Sequence, residues 1–290
     1  MKQLLRIHVI LHRSFLRAIE HDAFNMAQSS AYSAMVALFP ALIVAAAVIA
    51  VLPDNAPIRA QVGSIFYRIL PPDVVPMLEA YFDAHSAKSA QALLLAFLVS
   101  LTGASSVIAT YMEGLRRAND LPGDCWTFWG RRARSYALVP LSLVPLGLAS
   151  LMVVFGHIVT MWLAYKVVPS MRTEVYVLAS IIRWLVALAG STGLIALIYH
   201  MGTPRRQPWG RVLPGALAAT VMWFVTTLIF GWYVTRFANY SQVYGSLGAG
   251  IALLFWLYIV SLSVFFGAEF NTQFHLHKHA PVTMQTESRT

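Results

Sequence analysis

Six stretches, each long enough to cross a bilayer and almost free of charge, constrain this chain more than any other feature. They run over Ala23–Pro53, Ser89–Met112, Ser135–Tyr165, Val175–Met201 (interrupted once, by Arg183), Val212–Thr235 and Phe237–Ala268. About 20 apolar residues in a helix cover about 30 Å of hydrocarbon, and only helices or closed barrels satisfy their backbone groups where there is no water. The expected fold class is therefore all-α: a polytopic membrane protein of six transmembrane helices. Composition agrees, with 58% of the 290 residues hydrophobic and 11% charged, against about 25% charged in a soluble domain. The first stretch starts only after residue 22 and is longer than the about 7–15 apolar residues of a signal peptide, so it is expected to be retained. A single cysteine, Cys125, leaves no internal disulfide.

The formal charge of +9 raises the question of nucleic acid, and its placement answers it. Lys2, Arg6, Arg13 and Arg17 precede the first stretch. Arg116, Arg117, Arg131, Arg132 and Arg134 follow the second, Arg205, Arg206 and Arg211 the fourth, and Lys278 and Arg289 the last. The alternate loops hold only Arg59, Arg68, Lys88, Lys166, Arg172 and Arg236. Fourteen against six is the positive-inside bias of a chain with both ends in the cytoplasm. The basic charge reads as topology, and no nucleic-acid partner is expected.

Three segments follow from this plan: a cytoplasmic arm over 1–22, a transmembrane domain over 23–275 with a periplasmic loop at 54–88, and a disordered cytoplasmic tail over 276–290. In the arm, Lys2, Arg6, Arg13, Arg17 and Glu20 fall within about 60° of one another at 100° per residue, and Leu4, Leu5, Ile7, Leu11, Phe15, Leu16 and Ile19 cover the rest. That pattern predicts an amphipathic interfacial helix whose basic stripe meets anionic headgroups, at about 1 kcal/mol per basic residue. The simpler reading of the same pattern, a plain topogenic anchor, ranks ahead of it. In the outer loop, Ile58–Leu70 and Val74–His85 are expected to be surface helices separated by Pro71 and Pro72.

Within the spans, small residues mark expected helix contacts: Ser29 to Ala34, Gly103 to Ser106, Gly190 to Gly193 and Gly245 to Gly250. Pro40, Pro140 and Pro145 free carbonyls and bend their helices, which gives either shape alone or a polar path. Arg183 is the clearest charge inside a span. Such a residue is paired or faces a cavity, yet it sits about 9 Å from the outer helix end and can also snorkel to the interface. Glu113 precedes Arg116 and Arg117 at helical spacing, which predicts a local salt bridge. Glu269 has no basic residue within a turn and opposes the helix dipole, so a partner from another helix is expected, an arginine between Arg116 and Arg134, with Asn271 beside it as a hydrogen-bonding group. No catalytic, cofactor or metal residues are expected: His275, His277 and His279 alternate without an acidic ligand, and no phosphate loop, nucleophile elbow or CxxC pair occurs. The chain is not expected to be an enzyme.

The first span carries Ala31-Tyr32 followed by Leu38-Phe39-Pro40. The last carries Tyr244-Gly245-Ser246-Leu247, Trp256-Leu257-Tyr258 and Gly267-Ala268-Glu269-Phe270-Asn271. In these motifs, their order and the six-span plan, the chain resembles the BrkB/YihY family of bacterial inner-membrane proteins. The resemblance implies an inner-membrane location and a link to virulence or envelope phenotypes. Some members carry a ribonuclease label, to which the His275–His279 run, lacking the ligand aspartate, gives no support. Two readings of function stand. One is a transporter or flippase-like permease for a lipid, envelope component or small solute, with a path near Tyr32, Pro40 and Arg183; the other is a non-transporting scaffold for envelope integrity. Candidate transport or structural residues are Tyr32, Pro40, Glu113, Arg183, Tyr244, Gly245, Glu269 and Asn271. The partners the sequence admits are membrane lipids and a further copy of the same chain.

Overall fold

The computed structural model describes residues 2–50, 87–166, 172–204, 207–236 and 247–279. Among these residues the regular structure is helical: α1 (Lys2–Glu20), α2 (Ala23–Ala50), α3 (Ala87–Ala118), a 3-10 turn (Gly123–Cys125), α4 (Phe128–Lys166), α5 (Arg172–Gly202), α6 (Trp209–Arg236) and α7 (Leu247–His279). Lipid leaves an apolar segment no other way to pair its backbone groups, so helices form even where β-branched residues are frequent. Pro40, Pro140, Pro145 and Pro214 are all carried inside helices.

Among the described residues five helices carry runs long and apolar enough to cross a membrane: Ala23–Ala45, Gln91–Ala118, Thr173–Gly202, Trp209–Val234 and Gly250–Leu276, with mean hydropathy from 1.4 to 2.2. The other expected span, Ser135–Tyr165, falls on α4, whose side chains are described as far as Gly147. At 1.5 Å per residue the 32 residues of α3 extend about 48 Å. That exceeds the hydrocarbon, and α3 ends on Glu113, Arg116 and Arg117. The expected surface helices Ile58–Leu70 and Val74–His85 lie outside the described residues.

The chain divides into two compact units, one of residues 1–26, 108–225 and 262–290, the other of residues 27–107 and 226–261. In the first unit α4 packs along α5, and Met112, Leu138, Ala196, Tyr199, Val212, Ala216 and Ala219 are almost fully buried. Here α6 and α7 meet backbone to backbone. A Cβ on Gly215 would press on the Asn271 side chain and lie 2.6 Å from the Gly267 carbonyl oxygen; one on Gly267 would lie 2.5 Å from Ala219 Cβ and 2.7 Å from the Gly215 carbonyl oxygen. The Asn271 Oδ1 accepts from the Gly215 amide at 3.2 Å, and the Tyr199 hydroxyl donates to the Val264 carbonyl. Small residues permit the approach, and polar side chains fix its register.

In the second unit the expected seams at Gly103 and Ser30 are contacts. A Cβ on Gly103 would stand 2.7 Å from that of Ala37 on α2, and Ser261 on α7 donates to the Ser30 hydroxyl at 3.1 Å. In the first unit Gly193, expected to be such a contact as well, faces open space among the described residues. Leu94, Leu95, Leu98, Leu228, Ile229 and Phe255 expose their side chains, as apolar residues do where lipid is the solvent.

Candidate functional site

Two helix ends in the first unit are built on aspartates in the left-handed region, Asp22 at φ 64° and Asp120 at φ 50°. Asp120 closes α3: its amide donates to the Arg117 carbonyl at 2.8 Å and that of Leu121 to the Arg116 carbonyl at 3.1 Å, the paired bonds that normally surround a glycine. Asp22 separates α1 from α2, its own carbonyl accepting the Met26 amide at 3.1 Å. Aspartate tolerates this backbone better than most residues. Asp120 puts its carboxylate beside His21, the residue between α1 and Asp22, while the Asp22 carboxylate accepts from Asn25 at 2.5 Å and stands 3.7 Å from Arg117.

His21 is the hub of the site. Its Nδ1 lies 2.7 Å from Glu269 Oε1 on α7, and its Nε2 lies 3.3 Å from Asp120 Oδ1. Its carbonyl accepts from Arg117 at 3.3 Å, and Arg117 also stands 3.7 Å from Asp22. Arg17 bridges Asp120 and Glu20, at 3.2 Å to each. Exposure falls steeply across the row, from 55% for the Asp120 side chain through 14% for His21 to 4% for Glu269. The second Glu269 oxygen, Oε2, is buried and has no hydrogen-bond partner among the described residues.

Glu113 forms a neighbouring node. Arg116 grips both its oxygens, at 2.7 and 3.1 Å, Arg117 adds a bond at 3.2 Å, and Arg131 of α4 approaches to 3.5 Å. The spacing-based pairs are present, with Arg131 in addition. The same arginines explain why Glu269 takes a different partner from the one expected: Arg116, Arg117 and Arg131 are engaged by Glu113, and the side chain that reaches Glu269 is the histidine 248 residues away at the arm junction. Further ties hold the loops: Arg134 stacks over Trp126 at 4.4 Å and donates to the Thr203 carbonyl at 3.4 Å, while Gln207 donates to Asn119 at 2.8 Å.

The remaining candidates divide between the units. Asn271 is buried at the Gly215 contact described above, and its carbonyl accepts from His275. Arg183 is half-buried on α5, its guanidinium carbon 5.6 Å from the Trp184 ring centroid. In the second unit, Tyr32 is 68% exposed and lines an open groove of about 390 Å³ with Ser33, Val36, Leu98, Val99, Thr102, Gly103 and Ser106. Pro40 lies two turns further along α2 and does not line it. Tyr244 and Gly245 lie outside the described residues.

The chain matches a family model described as virulence factor BrkB over residues 14–289. It is 26% identical over 280 residues to a Bacillus subtilis protein named as ribonuclease-like, YfkH, which covers 93% of this chain and 97% of that one. A UPF0761 membrane protein of Rhodospirillum centenum is 28% identical over 268 residues, covering 90% of this chain and 56% of that longer relative. Another, from Tolumonas auensis, is 26% identical over 259 residues, covering 88% and 82%. No solved structure matches.

Proposed function

The chain belongs to the virulence factor BrkB family of membrane proteins, and we propose that it is an inner-membrane, six-span permease that moves a lipid, an envelope component or a similar amphipathic solute. The observation that carries this reading is the groove between α2 and α3 in the second unit. Its volume of about 390 Å³ is within the range of small-molecule sites. Val36, Leu98 and Val99 supply apolar wall, while Tyr32, Ser33, Thr102 and Ser106 bring hydroxyls to segments that lipid surrounds. Hydroxyls beside an apolar wall suit a molecule with a polar head and a greasy remainder.

The test is lipid movement in proteoliposomes. Short-chain phospholipids with fluorescent labels are expected to exchange between leaflets, and Ser33→Leu with Ser106→Leu, which fill the groove, to slow exchange about tenfold or more, equivalent to about 1.4 kcal/mol on the barrier. Unchanged exchange in the double variant rejects the groove as the path. A folded protein that moves none of the labelled lipids points to the scaffold reading instead.

The arm and the topology belong to the same proposal. On α1, Ile10, Ser14 and Ala18 are buried along one stripe, Leu11, Phe15, Leu16 and Ile19 are exposed on the next, and Arg13 is exposed beyond them. That order suits a helix docked on one side and lying at a headgroup surface on the other. With the cytoplasmic side set by the basic loops, single cysteines at Ser64 and Asp124, placed in a chain whose Cys125 is replaced, should divide. In intact cells an impermeant thiol reagent is expected to label position 64 and spare 124. The opposite pattern inverts the topology.

A further inference from the structure

We propose that Asp120, His21 and Glu269 form a proton relay that ends in a proton-binding site on the Glu269 carboxyl group of α7. The placement that supports it is an imidazole with a different carboxylate on each ring nitrogen: an exposed one, Asp120, at 3.3 Å from Nε2, and a buried one, Glu269, at 2.7 Å from Nδ1. The two nitrogens of a histidine exchange donor and acceptor roles, so the ring can take a proton on one side and release one on the other. Chains of ionisable side chains leading to a buried carboxyl group are how membrane proteins pass protons, and here the chain runs from an exposed turn to the carboxyl group on α7. The two carboxylates stand on opposite edges of the ring and do not converge as metal ligands would; among the described residues no group of three such side chains could hold a metal ion.

The step balances with one proton and no other reactant. From a neutral His21 with its proton on Nδ1, Asp120 takes a proton from hydronium, which leaves as water, and hands it to Nε2, forming an imidazolium between two carboxylates. Nδ1 then passes its proton to Glu269 Oε1. Asp120 is again a carboxylate, His21 is neutral with its proton on Nε2, and Glu269 is a neutral acid. Its Oε2, which has no partner among the described residues, is free to rotate into the bond or to carry the hydroxyl. The charged and titratable groups around the row are Arg17 and Glu20 from α1, Asp22 at the junction, Arg117 from α3, whose guanidinium bonds the His21 carbonyl, and Tyr199 from α5, whose hydroxyl donates to the Val264 carbonyl on the helix that carries Glu269. Arg17 holds Asp120 at the mouth of the relay, and Arg117 fixes the backbone of its central residue.

As the coupling ion of a permease this proton rests on the transport reading above; its binding does not. Purified protein in detergent is taken through a pH jump and followed by infrared difference spectroscopy for a carboxylic-acid band and by a soluble dye for the rate of proton uptake. The wild type is expected to show a band that Glu269→Gln removes and Glu269→Asp shifts. Asp120→Asn, a change at an exposed side chain, and His21→Asn are expected to keep the helical circular dichroism and slow uptake roughly tenfold or more. A band that persists in Glu269→Gln overturns the site. Uptake as fast as wild type in both Asp120→Asn and His21→Asn overturns the relay. Proton uptake by this route in a protein that moves no lipid supports the relay while rejecting transport, and lipid exchange without the band does the reverse.

Discussion

Replacing His21 with alanine is expected to lower the stability of the detergent-solubilised protein by about 3–5 kcal/mol, the usual cost of stranding one member of a buried pair. Glu269 is 3% exposed, its only hydrogen-bond partner among the described residues is His21, and its second oxygen has none. Removing the imidazole leaves both oxygens unanswered. By contrast Arg17 and Glu20 form a pair with side chains 33% and 65% exposed, and Glu20→Ala should cost no more than about 1 kcal/mol. A double-mutant cycle of His21→Ala with Glu269→Gln isolates the pair: a coupling of about 1–3 kcal/mol is expected from groups in direct contact. A His21→Ala loss no larger than that of Glu20→Ala would show that Glu269 is satisfied by something other than this histidine.

The pair also shows what the sequence could and could not convey. Spans are legible because lipid permits one solution for a long apolar run, and five of them stand on the described helices. Glu113 is legible for a different reason: its partners Arg116 and Arg117 lie three and four residues away, where helical spacing alone brings side chains together. Glu269 advertised a missing partner through its lack of basic neighbours, but not which partner. The distance along the chain to His21 is 248 residues, and only the turn at Asp22, with its left-handed backbone, aims the ring at α7. A positive-φ aspartate has no distinctive sequence signature, so that turn was not readable.

The α6 and α7 contact was missed although its signal was present. Clusters of small residues point to Gly190–Gly193, where Gly193 faces open space among the described residues, and not to Gly215 and Gly267. The better cue was spacing: Gly215 with Ala219, and Ser263 with Gly267, each put two small residues four apart on one helix face. Asn271, one turn beyond Gly267, completes that face and bonds the Gly215 amide. The Gly-Ala-Glu-Phe-Asn run is thus one device, in which Gly267 and Asn271 set the helix crossing and Glu269 is carried between them to His21.

Gly267→Val is accordingly expected to have the largest structural effect of any single change on α7. The first added carbon would lie 2.5 Å from Ala219 Cβ, 2.7 Å from the Gly215 carbonyl oxygen and 2.8 Å from the Tyr199 hydroxyl oxygen. Two of these three neighbours, the Gly215 carbonyl and the Cβ of Ala219, are backbone or directly attached to it, so no side-chain rotation relieves the contact. Overpacking in a close-packed core costs about 1–3 kcal/mol and occasionally more, and a branched side chain against backbone belongs at or above the top of that range. Gly193→Ala, where the added carbon meets nothing within 4 Å among the described residues, is the matched control and should melt with the wild type. Because Glu269 lies two residues beyond Gly267, separating α6 from α7 should also shift its carboxylate away from the imidazole. The coupling in the His21→Ala, Glu269→Gln cycle should then fall toward zero when measured in a Gly267→Ala background, chosen because its single added carbon is the milder insult. A Gly267→Val protein that melts with Gly193→Ala would mean that the two helices do not cross at this glycine. A coupling preserved in Gly267→Ala would mean that the crossing and the His21–Glu269 pair are set independently.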